Sequence, residues 1–175
     1  MTKSISGLRV TTSRSSALNK SLQRLAKTVV YVGIGKGEKG DARQDEEISN
    51  SDLGFIHEYG APGANIPPRP FLRPGIESGK EAIAAKMQAA LVAAIHDDEK
   101  ALNTALDQAG ILSVSSVQAY MAEGDFEPLK ASSIRSRKYS RKTKSKRAGE
   151  KNGNVKPLVN SGTLQKSMSY YVRKV

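Results

Sequence analysis

The chain has 175 residues, of which 38% are hydrophobic, 5% aromatic and 26% charged, and its formal net charge is +11. A chain of this length can bury one moderate core, so we expect a single domain with appendages. It has no cysteine, which excludes a disulfide framework, a thiolate nucleophile and a cysteine-ligated zinc site. No apolar run could span a membrane and the first residues lack the apolar stretch of a signal peptide, so we expect a soluble protein made in the cytoplasm.

The first elements along the chain are predicted to be an arm, a helix and a strand. Residues 1–15 are mostly polar and are expected to form a flexible N-terminal arm, with a single domain over residues 16–175. Apolar residues recur at helical spacing from Ser16 to Lys27 and predict a short amphipathic helix. The segment from Thr28 to Ile34 is rich in β-branched residues and predicts a strand.

A loop rich in glycine and then in acidic residues is predicted over residues 35–50. The run from Gly35 to Gly40 formally matches the glycine pattern of dinucleotide-binding loops. That pattern must open a helix with an apolar face, and none follows here. We therefore predict a loop without a cofactor site.

A short helix and a proline-rich arm (residues 61–74) come next. Apolar residues at every third position over 53–59 predict the helix, with Ser51 or Asp52 as its cap and Gly60 as its end. Each proline fixes φ and disfavours a helical residue before it, so we expect an extended, exposed arm that suits docking to another protein. The residues predicted for this inter-subunit or partner interface are Ile56, His57, Glu58, Tyr59, Pro67, Arg69, Pro70, Phe71, Leu72 and Arg73, together with Pro157 and Leu158.

The longest element is predicted to be one helix, straight or bent, over residues 77–109 that ends at Gly110. One face of this helix is expected to hold Ile83, Met87, Ala90, Leu91, Ala94 and Ile95. Its alanines allow a sheet or a neighbouring subunit to approach closely. A second helix is expected over residues 113–123. Near the end of the chain we expect a helical start at Ser161 or Thr163 and a terminal strand over residues 169–175.

A basic loop is predicted over residues 130–156. Between Lys130 and Lys151 the chain has ten lysine or arginine residues and one acid, Glu150. Such a segment cannot bury enough surface to fold alone, so it either contacts nucleic-acid phosphates or orders against an acidic protein surface. The residues assigned to a partner- or DNA-facing role are Arg135, Arg137, Lys138, Arg141, Lys142, Lys144, Lys146 and Arg147.

The sequence provides no convincing catalytic or metal-binding set. The two histidines, His57 and His96, lack the i+4 partner of a metal-binding helix, and consecutive acids on a helix point in different directions. An unrecognised arrangement of His57, Glu58 and Asp52 is the remaining option for an enzyme. We therefore predict a protein that is not an enzyme and that has no cofactor and no metal.

Three motifs follow one another along the chain: His57-Glu58-Tyr59-Gly60, then Ile-Pro-Pro-Arg-Pro-Phe at residues 66–71, then Lys-Pro-Leu-Val-Asn-Ser-Gly-Thr-Leu at residues 156–164. This order resembles the tail-completion, or neck, proteins of tailed bacteriophages, in which H-E-[YF]-G, I-P-x-R-P-F and K-P-L-[IV]-[DN]-[TS]-G-x-[LM] recur. The likeness covers residues 28–175. An acidic loop at 41–52 and a dense basic stretch at 135–151 depart from the family pattern.

The resemblance implies an α+β fold, in which a small, mostly antiparallel sheet packs with one long helix, shorter helices and extended arms and loops. It also implies a virion protein at the head–tail junction that forms a homo-oligomer, expected to be a hexameric ring. Its partners would be the head connector, adaptor or stopper and the tail terminator or tail tube, and the basic loop could contact packaged DNA. The alternatives are a tail terminator or minor tail protein and, from another class, a basic nucleic-acid-binding protein.

Overall fold

The structure, a computed structural model, describes residues 12–35, 48–135, 157–158 and 162–174. These residues combine helices with a two-stranded antiparallel sheet, which confirms the prediction of an α+β fold. The helices are α1 (Thr12–Ala26), α2 (Asn50–Tyr59), α3 (Leu72–Ser78), α4 (Lys80–Ile95), α5 (Glu99–Glu123) and α6 (Thr163–Lys166), and the strands are β1 (Thr28–Gly33) and β2 (Ser169–Lys174). A 3₁₀ turn covers Pro62–Ala64, and residues 131–135 are helical.

The sheet joins the two ends of the described chain. β1 pairs with β2 in a register that places Thr28 opposite Lys174 and Tyr31 opposite Tyr171. Side chains alternate between the two faces of a strand, and Val30 and Val32 pack against the apolar clusters on the inner face. Both predicted strands are confirmed, with β1 ending at Gly33.

The centre of the fold is α5, a helix of 25 residues. It packs against α3, α4, α6 and both strands. One buried apolar cluster lies along its first half and joins Ala105 and Leu106 to Ala90 of α4. A larger cluster lies along its second half and contains Phe71, Val117, Met121, Leu158, Leu164 and Met168.

The prediction of one helix over residues 77–109 followed by another over 113–123 is wrong. The chain turns at Gly79 and again at residues 96–98, where the Asp98 side chain accepts a hydrogen bond from the Ala101 N–H at 2.9 Å and caps α5. α5 then continues through Gly110. A Cβ at Gly110 would overlap the ring of Tyr170, so this glycine allows β2 to approach the helix and does not end it.

Smaller differences concern the ends of elements and the segments between them. α1 begins at Thr12, so residues 12–15 are helical and do not belong to the N-terminal arm that was expected over residues 1–15. Residues 1–11 lie outside the described residues. The cap of α2 is Ser49, where Ser51 or Asp52 was expected, and the predicted end at Gly60 and helical start at Thr163 are confirmed. Residues 36–47 and 136–156, which hold most of both predicted loops, also lie outside the described part. Within the described ranges, no helix is both long and apolar enough to cross a membrane.

Candidate functional site

Residues 56–60 and 66–73 contain two of the sequence motifs and interlock as one unit, which we call the motif clasp. The backbone N–H of Arg69 donates to the carbonyl of His57 at 2.6 Å. The Glu58 carboxylate accepts from the N–H groups of Phe71 and Leu72 at 2.8 and 2.9 Å. These N–H groups lie at the start of α3 and have no partner inside the helix, so Glu58 caps α3 from α2.

Gly60 and Arg69 hold the clasp closed. Gly60 has φ +78°, and a Cβ there would lie 3.0 Å from the carbonyl oxygen of Ile66, so both the backbone conformation and the close approach require glycine. The Arg69 side chain is 5% exposed. Its Nε donates to the carbonyl of Glu127 at 2.7 Å and its Nη2 to that of Pro128 at 3.1 Å. The guanidinium therefore ties the segment after α5 to the clasp.

Phe71 connects the clasp to the third motif. It is 3% exposed and shares the larger core cluster with Leu158 and Leu164. The prediction that Phe71 is an exposed anchor for a neighbouring subunit is therefore wrong, since its side chain fills the core of its own chain. The same correction applies to Arg69 and to Leu158, each 5% exposed.

The remaining predicted interface residues are divided between surface and interior. Tyr59, Pro70 and Arg73 are exposed, whereas Ile56, His57, Glu58, Pro67, Leu72 and Pro157 are half-buried. Arg135, at the start of the predicted basic loop, is exposed. The other predicted basic contacts, Arg137, Lys138, Arg141, Lys142, Lys144, Lys146 and Arg147, lie outside the described residues.

An exposed aromatic pair on α2 was missed by the sequence prediction. Phe55 and Tyr59 are 63% and 67% exposed, and their ring centroids lie 4.8 Å apart. Their spacing of four residues places them on one face of the helix, so the sequence did contain a signal for this pair.

The outer side of α4 carries four of the helix's bulky apolar side chains, whereas Ile83 is half-buried. Ala90, Ala93 and Ala94 are buried, because small side chains let α4 lie close to its neighbours. The residues we call the α4 face, Met87, Leu91, Val92 and Ile95, are 39–48% exposed. Of the residues predicted to share one face of this helix, Ala90 and Ala94 are buried, whereas Met87, Leu91 and Ile95 are exposed.

The outer side of the sheet is a second exposed apolar surface. Val29 and Tyr31 of β1 lie opposite Arg173 and Tyr171 of β2, and we call these four residues the sheet face. The rings of Tyr31 and Tyr171 stack with centroids 4.9 Å apart, and the two side chains are 39% and 46% exposed. Successive side chains of a strand point to opposite faces of the sheet, so these four side chains lie on the face opposite to Val30 and Val32.

The candidate site is thus a group of exposed apolar surfaces, and the motif clasp lies on elements other than α4 and the sheet, namely α2 and α3. Surfaces of this kind suit contact with other proteins. Among the residues that the structure describes, no group of three or more His, Cys, Asp or Glu side chains is placed to hold a metal ion. Comparison of the chain with protein-family models, with curated proteins and with solved structures finds no match.

Proposed function

We propose that the chain is a structural subunit of a tailed bacteriophage, a tail-completion or neck protein that forms a ring between the head connector and the tail tube. The observation that carries the proposal is the meeting of the three motifs in one packed unit. Glu58 of the first motif caps the helix that follows Phe71 of the second, and Phe71 shares a cluster with Leu158 and Leu164 of the third. Motifs that pack together support a likeness of fold better than three separate short matches do.

The exposed apolar surfaces support an assembly role. Bulky apolar side chains that remain exposed together commonly mark protein contacts. Here they occur on different elements, as the α4 face, the sheet face and the Phe55–Tyr59 pair of α2. A ring made of head-to-tail contacts needs two different surfaces on every subunit, and this chain has them.

The experiment that tests the proposal removes the chain from the phage that encodes it. The neck function predicts DNA-filled heads and finished tails that stay separate in electron micrographs, and purified protein should restore their joining. Intact infectious particles formed without the chain would overturn the proposal. A tail terminator would instead give tails of irregular length, because nothing would stop growth of the tube.

The second candidate is a nucleic-acid-binding protein, favoured by the net charge of +11 and by the run of basic residues between Lys130 and Lys151. If DNA binding is the main function, affinity for duplex DNA should fall steeply with salt, because each neutralised phosphate releases counterions. Replacing Arg141, Lys142, Lys144 and Lys146 with glutamine should then abolish binding. A chain that binds DNA in this way and is absent from particles would favour this candidate.

A further inference from the structure

α4 and the sheet pack beside each other against the central helix, since Ala90 of α4 and Val30 of β1 contact the same buried cluster as Leu106 of α5. α5 packs against α4 through Ala105 and Leu106, which meet Ala90, and against β2 at Gly110, which meets Tyr170. The inner side of the sheet is covered by α5, whereas the outer sides of both α4 and the sheet carry exposed apolar residues. A helix and a sheet each bury an apolar face by packing against another layer, so each of these outer sides is suited to one further layer.

Each face also has a charged end, and the two charges are opposite. Asp97, Asp98 and Glu99 follow the carboxyl end of α4, where the helix dipole is also negative. Glu99 is paired with Arg24 of the same chain, and Asp97 accepts a hydrogen bond from the Ser21 hydroxyl at 2.7 Å, so the net negative charge comes from Asp97 and Asp98. Lys27, Arg173 and Lys174 lie at the end of the sheet where Thr28 pairs with Lys174. The three acidic and the three basic residues at these ends are all exposed.

The two charged ends lie at the same end of the molecule. The Arg24 Nη1 contacts the Glu99 Oε1 at 2.9 Å, and Arg24 is three residues before Lys27 in the chain. In a ring whose symmetry axis is parallel to α4, each residue has the same height along the axis in every copy. The acidic end of one copy is then at the same height as the basic end of the next copy.

We propose that the α4 face of one copy packs on the sheet face of the next copy, with the acidic end of α4 beside Lys27 and Arg173 of that neighbour. This inference rests on the ring-forming part of the proposed function and names the surfaces that close the ring. The contact is heterologous, because a helix meets a sheet. A two-fold contact would instead join each face to itself.

Because the chain has no cysteine, single introduced cysteines test this contact directly. Ile95→Cys places a thiol at the acidic end of the α4 face, and Val29→Cys places one at the basic end of the sheet face. Both positions are partly exposed, at 48% and 39%, so both variants should fold. Glu123→Cys, at the exposed end of α5, is the matched control.

Each variant is oxidised with copper phenanthroline, alone and in equimolar mixtures, and examined on non-reducing gels. The contact predicts a cross-linked dimer from the mixture of Ile95→Cys and Val29→Cys proteins, and none from either protein alone or from mixtures with the control. The double variant Val29→Cys/Ile95→Cys should give a ladder that ends at the ring. Circular dichroism of each variant shows that it is folded.

The other outcomes overturn the inference in distinguishable ways. Cross-linking of Ile95→Cys with itself would show a two-fold contact through α4. Absence of the mixed dimer, with an oligomer of wild-type protein seen by light scattering, would place the contact elsewhere and leave the proposed ring standing. If the protein is a monomer at every concentration and does not cross-link, both the contact and the self-assembled ring are rejected. The neck function is tested independently by whether heads and tails stay separate in phage that lack the chain.

Discussion

At the scale of single residues, Glu58 joins two helices by capping one from the side of the other. We expect Glu58→Ala to lower the free energy of unfolding by about 1–2 kcal/mol, because N–H groups at the start of α3 lose their acceptor. Glu58→Gln keeps one carbonyl acceptor and should cost less. Urea unfolding followed by circular dichroism measures both, with Asp107→Ala, an exposed carboxylate on α5, as the control. Equal stability of Glu58→Ala and wild type would contradict the cap.

Substitution of Arg69 tests whether this residue stabilises the fold or docks to a partner. Its guanidinium donates to two backbone carbonyls while 5% exposed, and a lysine ammonium cannot reproduce that planar pair of donors. We expect Arg69→Lys to lower the free energy of unfolding by about 1–3 kcal/mol. Arg73→Lys, at an exposed position of the motif clasp, should change the free energy of unfolding by less than about 0.5 kcal/mol. A stable Arg69→Lys protein that fails only in assembly would restore the docking role.

At the scale of elements, the fit between α5 and β2 depends on Gly110. Alanine is favoured over glycine in a helix by about 1 kcal/mol, but its Cβ here would overlap the ring of Tyr170. We expect the overlap to dominate, with Gly110→Ala less stable than wild type by about 1–3 kcal/mol in thermal or urea unfolding. Gly63→Ala is the control, since a Cβ there meets nothing within 4 Å. If Gly110→Ala were the more stable protein, the close contact with Tyr170 would be disproved.

Local pattern was sufficient for some elements and misleading for others. β-branched residues predicted β1, and the glycine at position 60 predicted the end of α2. Gly110 was expected to end a helix because a glycine after an apolar stretch usually does so. The fold requires glycine at this position because the ring of Tyr170 lies against it, and Tyr170 comes near only in the tertiary structure.

The candidate site was predicted only in part, because tertiary contacts decide which of its residues are buried. The motifs identified the right segments, but the burial of Phe71 and Arg69 depends on Leu158, Glu127 and Pro128, which are far away in sequence. Periodicity recognised α4 as apolar. It could not show which side would face α5, because alanines and bulky residues alternate around that helix.

At the scale of the whole molecule, folding and assembly are expected to depend on different residues. Leu91 is 41% exposed, so Leu91→Glu should change the free energy of unfolding by less than about 0.5 kcal/mol. The same substitution places a charge in the proposed contact and should shift the mass measured by light scattering from oligomer towards monomer. Ala119→Glu, at an exposed position on α5 away from both faces, should leave the mass unchanged. An oligomer of Leu91→Glu as stable as that of wild type would remove the α4 face from the contact.

The central claim is that this chain forms the ring that joins head to tail. The most direct measurement is a cryo-electron microscopy reconstruction of the head–tail junction in particles of the phage that encodes it. The account predicts a ring of six copies between connector and tail tube, with each α4 face lying on the sheet face of the next copy. A junction whose density does not fit this chain, in particles that are complete and infectious, would contradict it.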